Sequence, residues 1–166
     1  VLVAVASPHG STREIAGAIA ETLTGAGLEV DLRDVAEVKD LTPYDAVVLG
    51  SAVYMGHWVR EARCFATDRA EELRRRRVWL FSSGPVGRTS GDGSDPVEVA
   101  PLLEETGAWE HRLFAGRLSS KDLGVCARLV AKLVRARDED SRDWDAIAGW
   151  GREIAQALAG SPVRPA

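Results

Sequence analysis

The residues best able to do chemistry lie in three glycine- and hydroxyl-rich loops. "SPHGST" (7–12) sets Ser7, Ser11 and Thr12 around Gly10, between an apolar run and a helical pattern. Hydroxyls can donate to an anion, and glycine lets the backbone approach one. A helix starting near Ser11 aims its first-turn N–H groups and positive dipole end at the same point. The chemistry is phosphate binding; the alternative is that Ser11 or Thr12 merely caps the helix. His9 is either a phosphate partner or an exposed loop residue. "SAVYMGHW" (51–58) offers Tyr54, Met55 and Trp58 as surfaces for a flat ring, with Gly56 allowing close approach. His57 is a proton donor or substrate contact, or simply part of a helix start. In "SSGPVGRTSGDGSDP" (82–96), Ser83, Gly84, Pro85 and Gly87 can bring backbone amides to the polar edge of such a ring.

Elimination narrows the phosphate. The first loop has no lysine, which excludes a Walker-type triphosphate site, and no G-x-G-x-x-G dinucleotide fingerprint. A receiver domain needs an acidic pair near the end of strand one and an aspartate ending strand three. Those places hold Ala6-Ser7-Pro8 and Leu49-Gly50-Ser51. A phosphomonoester held by hydroxyls and N–H groups without a cation leaves flavin mononucleotide (FMN) as the best candidate. No metal spacing involves Cys64 or Cys126, which read as two reduced, small hydrophobic residues of a cytosolic protein.

The elements that must position these loops are legible as periodic patterns. Val1 to Ala6, "DAVVLGSAV" (45–53), "RVWLFSSG" (77–84) and "HRLFAGRL" (111–118) are strand-like runs, and "LEVDLRDV" (28–35) alternates like an edge strand. Ser11 to Ala26 carries Ile15, Ile19 and Leu23 on one helical stripe. Trp58 to Arg75, Val97 to Thr106, Asp122 to Arg137 and Asp143 to Leu158 also read as helices. Trp144, Ile147, Gly151, Ile154, Ala155 and Leu158 share a face of the last. Alternating buried strands and helices mean an α/β three-layer sandwich with a five-stranded parallel sheet of order 2-1-3-4-5. Ligands of such sheets bind beyond the carboxyl ends of the strands, where the three unusual loops fall.

The 166 residues fit one domain over 1–160 with a frayed tail at 161–166. A net charge of −4 gives no general pull toward nucleic acid. No apolar stretch approaches the ~20 residues that span a bilayer. "VLVAVA" reads as a strand rather than a signal peptide, which fits a cytoplasmic protein. The run Arg74-Arg75-Arg76-Arg77 reads as a solvated helix end favoured by the dipole, with a redox-partner or acidic-substrate contact as the alternative.

With its loops so placed, the chain resembles flavodoxin-domain proteins, specifically the flavodoxin-like, quinone-dependent protoporphyrinogen oxidases. The resemblance rests on "SPHGSTREIA", "YDAVVLGSAVYMGHW", the strand at 111–118 and "DWDAIAGWGREIAQAL". It implies that Ser7 to Thr12 bind the FMN phosphate, and that Ala52, Val53, Tyr54, Met55 and Gly56 flank the ring together with Ser83 to Gly87. Two departures stand out: His9 replaces a hydroxyl residue, and no tyrosine stacks from the third loop. The second leaves one ring face open, which suits a substrate or quinone better than a one-electron shuttle.

Segment 119–142 is extra relative to a short flavodoxin. Its basic amphipathic stretch, 121–137, can lie on the anionic inner face of a membrane where a quinone is met. The alternative is packing on the domain or on the mate of a homodimer. The expected function is FMN-dependent oxidation of an organic substrate, protoporphyrinogen of heme biosynthesis by resemblance, with a quinone-like acceptor. Alternatives are an electron-carrier flavodoxin serving a protein acceptor, or a flavin-free binding protein of the same fold. The flavin does the chemistry, and no side chain is assigned as catalytic.

Overall fold

The computed structural model describes residues 1–84, 95–116 and 142–160. The apolar runs form β1 (Leu2–Ala6), β3 (Ala46–Tyr54) and β5 (Arg77–Gly84), and β2 (Asp31–Asp34) and β6 (Glu110–Ala115) lie at the edges. These five strands are parallel in the order β2-β1-β3-β5-β6. Counted among themselves, that is the expected 2-1-3-4-5. A sixth strand, β4 (His57–Trp58), folds back antiparallel on the end of β3.

Strand alternation sends successive side chains to opposite faces, and each face builds its own core. On one face, Val3, Val5, Val48, Trp79 and Phe81 pack under α1 (Ser11–Gly25) and α5 (Trp144–Gly160). On the other, Leu2, Ala4, Val47, Leu49 and Leu80 pack under α2 (Arg60–Asp68), α3 (Ala70–Arg74) and α4 (Val99–Thr106). The expected stripe of α1 is buried as read, together with Thr12, Ala16 and Ala20. In α5 the buried face is Ile147, Trp150, Gly151, Ile154 and Ala155. Trp144 instead lies exposed, under the Arg142 guanidinium, 4.5 Å from its ring centre.

Gly50 marks the tightest point of the core. It faces Phe81 across the β3–β5 register, and a Cβ built there would lie 2.1 Å from Phe81 Cζ. The Phe81 ring is itself held edge-on against Phe114 and Trp150, both 6.1 Å away centre to centre.

The structure corrects several local expectations. The helix expected over 58–75 is a strand followed by two helices. Trp58 joins β4, Val59 stays extended, and the chain leaves helical geometry at Arg69 (φ −113°, ψ 18°). There the guanidinium reaches the carbonyls of Val38 and Lys39. The edge strand expected over 28–35 shortens to Asp31–Asp34, because Asp34 caps a 3-10 turn at Val35–Glu37 by accepting from the Ala36 N–H. The arginine run is exposed at Arg74 and Arg75, as expected of a solvated helix end, but Arg76 and Arg77 are half-buried and three of the four are bonded to carbonyls. Arg74 donates to the Glu104 and Glu105 carbonyls, Arg76 to those of Leu41, Tyr44 and Glu72, and Arg77 to that of Leu158. Cys64 is a free thiol exposed on α2. The helix expected over 122–137, with its membrane and dimer readings, and the tail at 161–166 lie outside the described residues. Among the described residues, no helix is long and apolar enough to cross a membrane.

Candidate functional site

β1, β3 and β5 are neighbours, so the loops leaving their carboxyl ends emerge side by side. The register pairs Ala6 with Ser51 and Ala52 with Ser83, which sets Ser7, Val53 and Gly84 along one edge of the sheet. The strand order reverses direction between β1 and β3, the place where open α/β sheets leave a crevice.

In the first loop the helix cap is Gly10, at φ 83°, which has no side chain of its own to offer the first turn. Nothing lies within 4 Å of where its Cβ would be. Neither Ser11 nor Thr12 is the capping residue; both already belong to α1. Ser7 Oγ accepts from the Arg13 N–H at 3.2 Å, which leaves its hydroxyl hydrogen to point elsewhere. Thr12 is 2% exposed, and its hydroxyl has no hydrogen-bond partner among the described residues. A hydroxyl that bonds to no other described residue, beside the first N–H groups of α1, is a donor set a phosphate monoester would complete. His9 is exposed, and its ring meets Tyr54 edge-on at 5.9 Å, joining the first loop to the second.

The second loop is a two-residue hairpin. Tyr54 pairs with His57, and the turn residues Met55 (φ 51°) and Gly56 (φ 82°) are both left-handed. Two positive φ values are what a type I′ turn requires, and glycine satisfies one of them freely. Met55 does not; a left-handed side-chain-bearing residue costs roughly 1–2 kcal/mol. The turn carries Met55 outward at 98% exposure, beside Tyr54 at 45%.

Trp58 does not face this tip. It is 2% exposed beneath the hairpin, and its indole N–H donates to Ser82 Oγ at 2.7 Å. His57 turns away to Glu98, its Nδ1 2.7 Å from Oε1. The same carboxylate accepts from the Trp58 N–H (3.2 Å) and Arg63 (3.0 Å). Burial raises the Glu98 pKa, but the hydrogen bonds from His57, Trp58 and Arg63 outweigh it and hold the carboxyl below its ordinary value of 4.5.

From the third loop, Ser83 and Gly84 close β5 and are buried. Gly84 lies where a Cβ would come within 3.1 Å of Val53, and its carbonyl accepts from the Gly116 N–H at 2.7 Å. They pack the second loop from the side. Pro85 and Gly87 lie outside the described residues.

Ser82 heads a polar chain through the core. Because an indole only donates, Ser82 Oγ accepts from Trp58, and its own hydrogen can go to His111 Nε2 at 2.8 Å. His111 Nδ1 then carries the proton toward Asp95 Oδ1 at 3.0 Å. Burial is the largest influence on His111, whose side chain is 2% exposed; it outweighs the Asp95 and Glu110 charges and lowers the imidazole pKa from 6.5. Between the folded value and 6.5 the unfolded chain binds more protons, so stability rises with pH in that window. The urea midpoint is therefore expected to drop as pH falls from about 6.5 toward the folded His111 value. His111→Gln should flatten that slope. Glu98 acts in the same direction at lower pH, below 4.5. A wild-type midpoint that stays level from pH 7 to 5 would contradict the neutral His111.

Glu98, Asp95, Ser82 and His111 were not readable as a group. Glu98 is 41 residues from His57, and an acidic residue opening a helix looks like an ordinary dipole partner.

A family model described as "Flavodoxin domain" matches residues 2–145. The chain belongs to the flavodoxin-domain family. Among curated proteins, Protoporphyrinogen IX dehydrogenase (quinone) of Escherichia coli (strain K12) is 25% identical over 169 residues, covering 93% of this chain and 93% of that protein. A flavodoxin from the domain Archaea superposes with a TM-score of 0.65 at 16% identity, covering 95% of this chain and 97% of that one. Oxidised flavodoxin 2 from Bacillus cereus gives 0.62 at 24% identity, covering 95% and 97%. These structures share the fold of this flavodoxin domain, including the parallel sheet and the helices on both its faces.

Proposed function

We propose that this flavodoxin domain binds FMN and works as an oxidoreductase. In this reading it takes electrons from a reduced organic substrate of the protoporphyrinogen class and passes them to a quinone-like acceptor. The observation that carries the cofactor is the Thr12 hydroxyl, which bonds to no other described residue, at the start of α1 beside Gly10, joined through His9 and Tyr54 to the exposed turn at Met55. Ser7, Gly10, Ser11 and Thr12 would hold the phosphate, and Ala52 to Gly56 would flank the ring with Ser83, Gly84, Pro85 and Gly87. Bound FMN supplies the electron-transfer chemistry. The chain's part is to bind it, present one edge to solvent and keep water from the buried side through Trp58 and the strands beneath. The substrate and acceptor classes rest on the name of the E. coli relative.

A visible spectrum tests the cofactor first. The purified protein, or the protein mixed with FMN, should show bound-flavin absorption and quenched flavin fluorescence; unbound FMN at saturating concentration would end the reading. Stopped-flow oxidation of the reduced protein then separates acceptors. Fast reaction with a menaquinone analogue supports the proposal, and reaction confined to a one-electron protein acceptor replaces it with an electron carrier.

A further inference from the structure

We propose that Glu98 is a positioning residue for the ring-side turn of the cofactor site. The proposal rests on the FMN reading and goes beyond it, because Glu98 belongs to none of the three loops. A left-handed Met55 persists only where its surroundings over-determine the turn. Those surroundings are a four-residue strap, 95–98, running into α4. Its Val97 N–H donates to the Gly56 carbonyl at 3.1 Å, fixing the second turn residue. Its Glu98 carboxylate gathers the far side of the hairpin, accepting from the Trp58 N–H, from Arg63 and from His57.

The Glu98 side chain is 16% exposed while His57 and Arg63 are 52% and 42% exposed, so the carboxylate end of these charge-assisted bonds is sheltered and the partner ends reach solvent. Arg63 Nε is buried without a partner among the described residues, and its Nη1 ties the guanidinium to Glu98 at 3.0 Å. The carboxylate thus grips β4 from below while the tip, Tyr54 and Met55, stays open toward a ligand. Trp58 is anchored separately through Ser82, so the core under the hairpin does not need Glu98 to stay packed. The consequence is local: without Glu98 the turn samples other conformations, and the ring loses one preformed wall.

The test compares FMN with riboflavin, which has the ring but no phosphate. Glu98→Ala should weaken both by the same factor, about tenfold, because the affected contacts lie at the ring end. Glu98→Gln keeps an acceptor for the Trp58 N–H and should fall between wild type and Glu98→Ala. The visible circular dichroism of bound flavin should change in both variants, whereas a residue serving only stability would leave it as in wild type. Urea midpoints confirm that each variant is folded at the assay temperature; should Glu98→Ala not fold, Glu98→Gln carries the comparison alone. Unchanged affinities and an unchanged dichroic spectrum, or a loss confined to FMN, overturn the positioning role while leaving the FMN reading intact. Failure of the wild-type protein to bind either flavin overturns both.

Discussion

Thr12→Val is expected to weaken FMN binding by about 10- to 100-fold, the loss of one charge-assisted hydrogen bond in a sheltered site. The same substitution should leave the flavin-free protein as stable as the parent to within about 1 kcal/mol, since no bond to another described residue is lost. The two halves follow from one observation. Thr12 is 2% exposed and its hydroxyl bonds to no other described residue, and the small part of the residue that is exposed includes this oxygen, so solvent reaches it when no ligand is bound. Valine has the same shape and gives up only the contact of that hydroxyl with solvent. A phosphate under the Gly10 cap would be the missing partner, and valine cannot donate to it. Riboflavin affinity separates the sites: it should be unchanged in Thr12→Val and reduced in Glu98→Ala. Equal losses of FMN and riboflavin would move Thr12 to the ring side. No loss of either would remove the phosphate from this loop.

Gly50→Ala is expected to destabilise the protein by about 3 kcal/mol, at the upper end of what overpacking a core costs. The added methyl would lie 2.1 Å and 2.2 Å from two atoms of the Phe81 ring. A flexible neighbour could step aside, but this ring is 0% exposed and wedged against Phe114 and Trp150. Urea unfolding of Gly50→Ala, Phe81→Leu and the double variant measures the conflict directly. The double variant should be more stable than Gly50→Ala alone, with a coupling of about 1 kcal/mol or more. Additive effects would show that the close approach of Gly50 and Phe81 is relieved elsewhere.

Sequence and structure divide this protein along a physical line. Periodicity is local, so the buried strands, the stripe Ile15–Ile19–Leu23 and the alternation of strand and helix could be read directly, and with them the parallel sheet. The position of "SPHGST" followed for the same reason, since a loop between a buried strand and a helix has one place to go in such a sheet. Where patterns compete, local reading failed. Trp58 fits a helical stripe as well as it fits a strand, and the pairing of Tyr54 with His57 decided the matter by folding β4 back on β3. By type His57 fits a proton donor or substrate contact as well as a helix start, and Trp58 a surface for a flat ring, yet both are spent on partners 41 and 24 residues away.

What the sequence by itself determined is the sheet, its helices and the loop edge where a phosphate would bind, because those depend on hydrophobic period and on residue types within a few positions. Only the tertiary structure decided that Gly10 and not Ser11 or Thr12 caps α1, that Met55 stands in a left-handed turn, and that Glu98 bonds to His57, Trp58 and Arg63 from a distant helix start. Side-chain hydrogen bonds between remote segments depend on distances of about 3 Å, and no spacing along the chain encodes them.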